Sequence, residues 1–286
     1  MKRRIDDGRL RVATLNVWGT RGRWPERRSV LRAEFARLDA DLISLQETIV
    51  APERHTGAIV DQVREFLGPG YRLVHSSTRE SDGQGITIAS RWPVGQVAEL
   101  DLHVTARTHD FACTALLVEV LVPEPIGRVW MVNHFPDYQV DHEHERTLQA
   151  LVVGRAVEDA LTERPGHVVL AGDLDAEPQA DSIRFLTGHH AVEGTSVCYR
   201  DAWRSTHAAA VHPDGDTFSP DNPNCADWDW PYRRIDYVLV RCGAHGGPTL
   251  RITTCVRTFD EPQTTISDHY GLVADLALPT ARRQVS

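Results

Sequence analysis

Ten short runs rich in Val, Ile, Leu and Thr, each bounded by Gly, Pro, Asp or Asn, recur along the chain and constrain its fold more than any other feature. They are Leu10 to Val17, Asp41 to Gln46, Tyr71 to Ser76, Gly85 to Ser90, Ala112 to Val122, Arg128 to His134, His167 to Gly172, Ile235 to Val240, Leu250 to Val256 and Tyr270 to Leu276. So many strands require at least one large sheet. Between them the sequence predicts helices over Pro25 to Leu38, where Pro25 suits a first turn, Gly57 to Leu67, Asp141 to Glu163 and, shorter, Ala180 to Leu186. In the third, Leu148, Leu151, Val152 and Ala156 share a face and leave Glu143, Arg146 and Glu158 for water. No repeat or low-complexity linker interrupts the pattern, so residues 1–286 are expected to form a single α/β domain with a core from about 10 to 277.

Composition narrows the class. Hydrophobic residues make up 41% and charged residues 25%, enough to bury a core and to exclude disorder as the default. A formal charge of -9 argues against a broad basic surface that holds polyanions by counterion release. Nucleic acid is therefore an allowed partner but not a favoured one, since a bound cation and a local Arg patch can override net charge. Cys113, Cys198, Cys225, Cys242 and Cys255 form no Cys-x-x-Cys pair, which points away from a disulfide framework or thiolate zinc site and fits a reducing compartment. The start, Met1-Lys2-Arg3-Arg4-Ile5-Asp6-Asp7, lacks an apolar h-region, and no run reaches membrane-spanning length. The expectation is a cytoplasmic monomer.

The apolar run Val168-Val169-Leu170-Ala171-Gly172 stops at Asp173-Leu174-Asp175-Ala176-Glu177-Pro178. Two aspartates at a strand end either cap a turn or furnish hard oxygen ligands where the backbone leaves the core. Other strand ends carry similar residues: Asn16 after Ala13-Thr14-Leu15, Glu47 after Leu45-Gln46, His134 after Val132-Asn133, Asp236 in Arg233-Arg234-Ile235-Asp236-Tyr237, and Asp268-His269 before the last strand. The segment from Thr187 to Tyr232, rich in Gly, Pro, Asp and Asn, is expected to be irregular and to face substrate.

In this order, and with Gly85-Ile86-Thr87-Ile88-Ala89-Ser90-Arg91-Trp92-Pro93-Val94, Asp201-Ala202-Trp203, Thr217-Phe218 and Ser267-Asp268-His269, the chain resembles the endonuclease/exonuclease/phosphatase superfamily of metal-dependent phosphoesterases over nearly its full length. The resemblance implies a four-layer α/β sandwich, two packed and mostly antiparallel sheets with helices outside, and a site at one edge. It implies that Glu47 binds a catalytic Mg²⁺, for which Mn²⁺ can substitute, with Asn16 and Asp268 as ligands directly or through water. It implies that Asp236 orients His269, that His134 and His269 contact the scissile phosphate, and that Asp173 activates water. Two departures stand out. Leu174 and Asp175 replace the family's common Phe and Asn, and an ionised Asp cannot donate to phosphate, so Asp175 is protonated, binds a cation, or holds a neighbouring donor. Trp18 stands where nuclease-like members often carry an acidic residue, a form closer to phosphatase and sphingomyelinase-like members.

Other motifs are read more plainly. His142-Glu143-His144-Glu145 lacks the His-Glu-x-x-His spacing and reads as a solvated helix start, and His189-His190 as an exposed loop pair. Trp203, Trp228, Trp230 and Tyr232 either stack on a base or sugar or pin the long loop; Arg233 and Arg234 either read a phosphate or pair with Asp227 or Asp229. The leading expectation is a phosphoesterase using metal-activated water on a small-molecule or lipid-headgroup ester. The alternatives are a DNA or RNA nuclease of the same superfamily and a non-catalytic binding protein that keeps the fold.

Overall fold

The computed structural model describes residues 8–52, 57–207, 215–225 and 229–279. Its first half runs β1 (Arg9–Asn16), α1 (Trp24–Leu38), β2 (Leu42–Pro52), β3 (Ile59–Asp61), α2 (Gln62–Leu67), β4 (Arg72–His75), β5 (Gln84–Ser90), β6 (Val94–Asp101) and β7 (Thr114–Leu121). There follow β8 (Arg128–Phe135), α3 (Glu143–Glu163), β9 (His167–Asp173), α4 (Asp181–Leu186), β10 (Tyr199–Asp201), α5 (Ala202–Thr206), β11 (Asp236–Arg241), β12 (Arg251–Thr258) and β13 (Gly271–Ala277). One sheet has the order β12-β13-β1-β2-β5-β4 with β3 added to β2; the other is β10-β11-β9-β8-β7-β6. Each is antiparallel except for one central parallel pair, β1 with β2 and β8 with β9.

The two sheets stack face to face because each has apolar residues on both sides. Leu10, Val12, Leu42, Ile86 and Ile88 of the first sheet meet Val118, Met131, Val169, Val238 and Val240 of the second. Ala13, Leu15, Ile43 and Leu45 point outward, against Leu31 and Phe35 of α1 and Phe66 of α2. On the other side Trp130, Val132, Val168 and Leu170 receive Ala150, Val153 and Val157 of α3 and Ile183 and Phe185 of α4. The result is the expected four-layer sandwich.

Along the regular stretches of the strands side chains alternate, so the residues between the sheets can be followed two at a time. Along β1 they read Leu10, Val12, Thr14, Asn16; along β2, Leu42, Ser44, Gln46; along β9, Val169, Ala171, Asp173; and along β11, entering from the opposite direction, Val240, Val238, Asp236. The interlayer thus changes from apolar to polar towards one end. That end is where a site can form.

Several elements differ from the sequence expectation. The helix expected over Gly57 to Leu67 begins only at Gln62: Ile59–Asp61 pairs with Val50, Ala51 and Pro52, and the Asp61 carboxylate caps α2 by accepting Arg64 N–H at 3.0 Å. β6 lies at a sheet edge with mostly exposed residues and little apolar alternation, so its sequence carries no strand signal. The segment Thr187 to Tyr232 contains β10 and α5, the latter capped by Asp201, which accepts Trp203 N–H at 2.9 Å. In α3 Leu151 is buried as expected, but Leu148, Val152 and Ala156 are only half-buried; Ala150, Val153, Gly154 and Val157 are inside instead, and so is Arg146, which donates to the carbonyls of Asp137, Gln139 and Val140. Gly154 permits this approach, since a Cβ there would stand 3.2 Å from the Phe185 ring.

Candidate active site

At the polar end of the interlayer a cleft of about 570 Å³ opens, and seven of the eight residues expected at the site, all but His134, meet there or in its floor. Asn16, last in β1, is buried. Its Oδ1 accepts the Trp18 backbone N–H at 2.9 Å, which fixes the amide's orientation and turns Nδ2 towards two carboxylates, Glu47 Oε1 and Asp173 Oδ2, each at 3.0 Å. The oxygen expected to face a cation is therefore engaged by backbone, and Asn16 acts as a brace between one residue from each sheet. Glu47 sits at an irregularity in the β2–β5 ladder with φ 53°, and its other oxygen receives Arg21 at 2.5 Å.

From the second sheet, Asp173 and Asp236 end up directly opposite one another because β9 and β11 pair antiparallel with those two residues in register. His269 Nδ1 lies 3.0 Å from Asp236 Oδ2 and 3.7 Å from Asp173 Oδ2. Burial opposes charge on this ring, but Asp173 and Asp236 outweigh it and hold the imidazole pKa well above its ordinary value. Asp236 is itself placed by Thr217, whose hydroxyl accepts the N–H groups of Ile235 and Asp236 at 3.1 and 3.2 Å while its carbonyl accepts Tyr270 N–H. Ser267 performs the same service at Asp268-His269: its hydroxyl donates to Asn16 O at 2.7 Å and accepts His269 N–H at 3.2 Å.

The site is rich in uncompensated negative charge. Burial pushes Asp268 up to about 6, His269 pulling it down and Glu47 raising it further. Burial and the charge of Asp175 raise Asp173 well above the carboxylate range. Asp236 Oδ1 is buried with no hydrogen-bond partner. Clustered, buried oxygen donors with raised proton affinity suit a hard divalent cation, which would supply the missing positive charge. Donor atoms of Asp173, Asp236 and His269 also lie within 4.8 Å of one another, although a charged His269 already offsets one of the two carboxylate charges.

His134 and Asp175 stand differently from expectation. His134 is one residue out of step with Asn133, so it lies on the helix side of β8; its ring is buried, Nδ1 lacks a partner, and it does not border the cleft. Burial lowers its pKa to about 3, leaving a neutral imidazole. Gly172 beside it has no room for a side chain, since a Cβ would stand 2.2 Å from His134 O. Asp175 borders the cleft with φ 49° and is pushed up to about 6 by burial, Arg233 pulling it back.

Other sequence readings are settled locally. Arg234 pairs with Asp201 at 2.7 Å, away from the cleft, whereas Arg233 lines it beside Asp175. Trp203 is buried and stacks on His207, Tyr232 packs on Phe218, and Trp230 borders the cleft near Tyr138; Trp228 and Asp227 lie outside the described residues. In the His142–Glu145 stretch only His144 is well exposed, Glu145 being buried beside Arg107. His189 is exposed and His190 half-buried. All five cysteines are free. Among the described residues no helix is long and apolar enough to cross a membrane.

Sequence reasoning did not single out Arg21, Thr217 and Ser267, although the last two stood in quoted motifs. It also missed Arg27, a buried guanidinium stacked on Trp18 and Trp24 that donates to the carbonyls of Val17, Gly19, Arg21 and Ile266 and so fixes the loop carrying Trp18 and Arg21. Its signal is an Arg two to three residues inside a helix after an aromatic, too common to be selective.

The chain matches the model of the Endonuclease/Exonuclease/phosphatase family over residues 13–269. Among curated proteins no sequence match was found. The fold is similar to that of TDP2 from Caenorhabditis elegans, 16% identical, with a TM-score of 0.71 over 94% of this chain and 74% of that one. It is also similar to the human Nocturnin catalytic domain, solved with a bound sulfate anion: 15% identity, TM-score 0.68, 96% of each chain. A third is ANGEL2, a 2',3'-cyclic phosphatase in complex with adenosine-2',3'-vanadate, at 15% identity and TM-score 0.70 over 96% of this chain and 97% of that one.

Proposed function

The chain belongs to the Endonuclease/Exonuclease/phosphatase family and is a hydrolase of phosphoric esters, and from that premise we propose that it is a divalent-metal-dependent phosphoesterase acting on a small organic phosphate ester. The observation that carries this reading is the joining of both sheets at one point: Asn16 spans Glu47 and Asp173, and Asp173 in turn borders the Asp236–His269 pair. Glu47 and Asp268 are the residues that would hold Mg²⁺ or Mn²⁺. When bound, the cation neutralises phosphate charge and makes water a stronger nucleophile.

The chain's own residues do the rest. Asp236 fixes His269 through Nδ1 and keeps it charged, so that Nε2 can donate to a phosphoryl oxygen or to the departing oxygen. Asp173, held by Asn16 and by the Asp175 N–H at 3.3 Å, is fixed to orient the attacking water and take up its proton. Water attacks phosphorus directly, the P–O bond to the leaving group breaks, and no covalent enzyme intermediate forms. His134, neutral and behind the cleft, lends shape rather than charge.

Preference for a small ester rests on the lining. Seven carboxylates border the cleft, among them Glu80, Asp82 and Asp110 at its outer edge, against Arg21, Arg233 and His269. Extra phosphates of a polynucleotide would face those acids. Phe111 packs edge-on to Phe135 and Tyr138, and Tyr138 and Trp230 continue this wall, which suits an apolar or aromatic group on the ester. The test is a panel of bis(p-nitrophenyl) phosphate, alkyl phosphate esters, and labelled single-stranded DNA and RNA, each with Mg²⁺ and with Mn²⁺. Faster turnover of the small esters is expected. Cleavage of DNA or RNA at trace enzyme would reverse the assignment.

A further inference from the structure

We propose that Arg233, held in place by Asp175, is the donor that binds a non-bridging phosphoryl oxygen, taking over the task of the side-chain amide that position 175 lacks. The inference rests on the phosphoesterase reading. A carboxylate at 175 cannot donate, so the cleft needs an N–H group from elsewhere on that side.

Arg233 meets the requirement in four respects. It borders the cleft together with Asp173, Asp175 and His269, yet is only 8% exposed. Its guanidinium is aligned by Asp175 at two points: Nη1 donates to the Asp175 carbonyl at 3.3 Å, and Nη2 lies 3.9 Å from Oδ1. Its Nε is buried with no hydrogen-bond partner. The backbone is fixed as well, because Arg233 and Phe218 exchange N–H to O bonds at 2.8 and 3.1 Å, one residue from the Thr217 that places Asp236.

The other arginines near the cleft are engaged. Arg21 is half exposed and closes on Glu47, and Arg234 turns into the fold towards Asp201. A planar guanidinium with spare N–H groups in a low-dielectric wall is the group that binds a phosphoryl oxyanion most strongly, in two parallel bonds where geometry allows. Asp175 gives up direct contact with phosphate and supplies the aim.

The test compares wild type, Arg233→Gln, Arg233→Lys, Asp175→Asn and the Asp175→Asn/Arg233→Gln pair. Each is assayed for bis(p-nitrophenyl) phosphate turnover, for binding of inorganic phosphate by titration calorimetry, and for melting temperature. Arg233→Gln is expected to weaken phosphate binding at least tenfold and kcat/KM about a hundredfold at an unchanged melting temperature. Arg233→Lys should retain part of the binding, and adding Asp175→Asn to Arg233→Gln should recover about tenfold, because the new amide donates directly. Phosphate affinity within twofold of wild type in Arg233→Gln, or no recovery in the pair, would overturn the proposal. If wild type turns over no ester, the phosphoesterase reading fails, and the phosphate titrations still decide the role of Arg233.

Discussion

The charge of His269 is decided by its two acidic neighbours, and this fixes how activity should depend on pH. Burial alone would lower its pKa; Asp173 and Asp236 raise it well above the ordinary value, so the charged donor persists through neutral pH and is lost only as pH rises through that raised value. In Asp236→Asn the alkaline limb of the kcat profile should move to lower pH, with kcat at neutral pH falling about a hundredfold or more. A profile with the limb unmoved would remove Asp236 from that role. His134, with its pKa near 3, should add no limb in the working range. The sequence displayed these residues because their types are scarce at strand ends. It did not display their geometry: Trp18, Glu47 and Asp175 all have left-handed φ, between 49° and 60°, a conformation no side chain among them signals.

At the scale of elements, irregularity was the obstacle. The β6–β7 pair is bulged between Val94 and Val97, where Glu119 Oε2 accepts Gln96 N–H at 2.9 Å and Oε1 receives Arg128. Gly95 leaves space for that carboxylate, since a Cβ would lie 2.2 Å from Oε2. Such a strand shows neither alternation nor β-branched density, and its register depends on a residue more than twenty positions away. Burial tends to raise Glu119, but the Gln96 N–H and the Arg128 and Arg164 charges hold it below the usual Glu range. Its stabilisation is therefore present above about pH 4.3 and lost as pH falls through the depressed folded value. Glu119→Gln should cost about 1–3 kcal/mol at pH 7 in urea titrations and converge on wild type in acid. Gly95→Ala should cost a similar amount and leave turnover unchanged. A pH-independent difference for Glu119→Gln would contradict this account. By contrast, β1, β8, β9 and β13 were legible because they are central, apolar on both faces, and end at punctuating residues.

For the whole molecule, what positions the site is a polar seam between two sheets. Asn133 donates to the carbonyls of Leu45 and Thr87 at 2.9 and 3.2 Å and accepts Gln46 Nε2 at 2.8 Å, while Ser44 donates to Ala171 O at 2.8 Å. Asn133→Leu would remove three buried hydrogen bonds and should cost roughly 2–4 kcal/mol. Because the seam and core join both halves of the chain, calorimetry should record one cooperative transition, and two separate transitions would contradict a single domain. Metal dependence at this site is read most directly from hydrolysis of bis(p-nitrophenyl) phosphate by chelator-treated protein, followed as Mn²⁺ is added, in wild type, Glu47→Ala and His269→Ala. Wild type is expected to lose turnover on chelation and regain it with Mn²⁺, and both variants to stay at least about a hundredfold slower at saturating metal with unchanged melting temperatures. Turnover indifferent to the chelator, or a wild-type rate in His269→Ala, would contradict it.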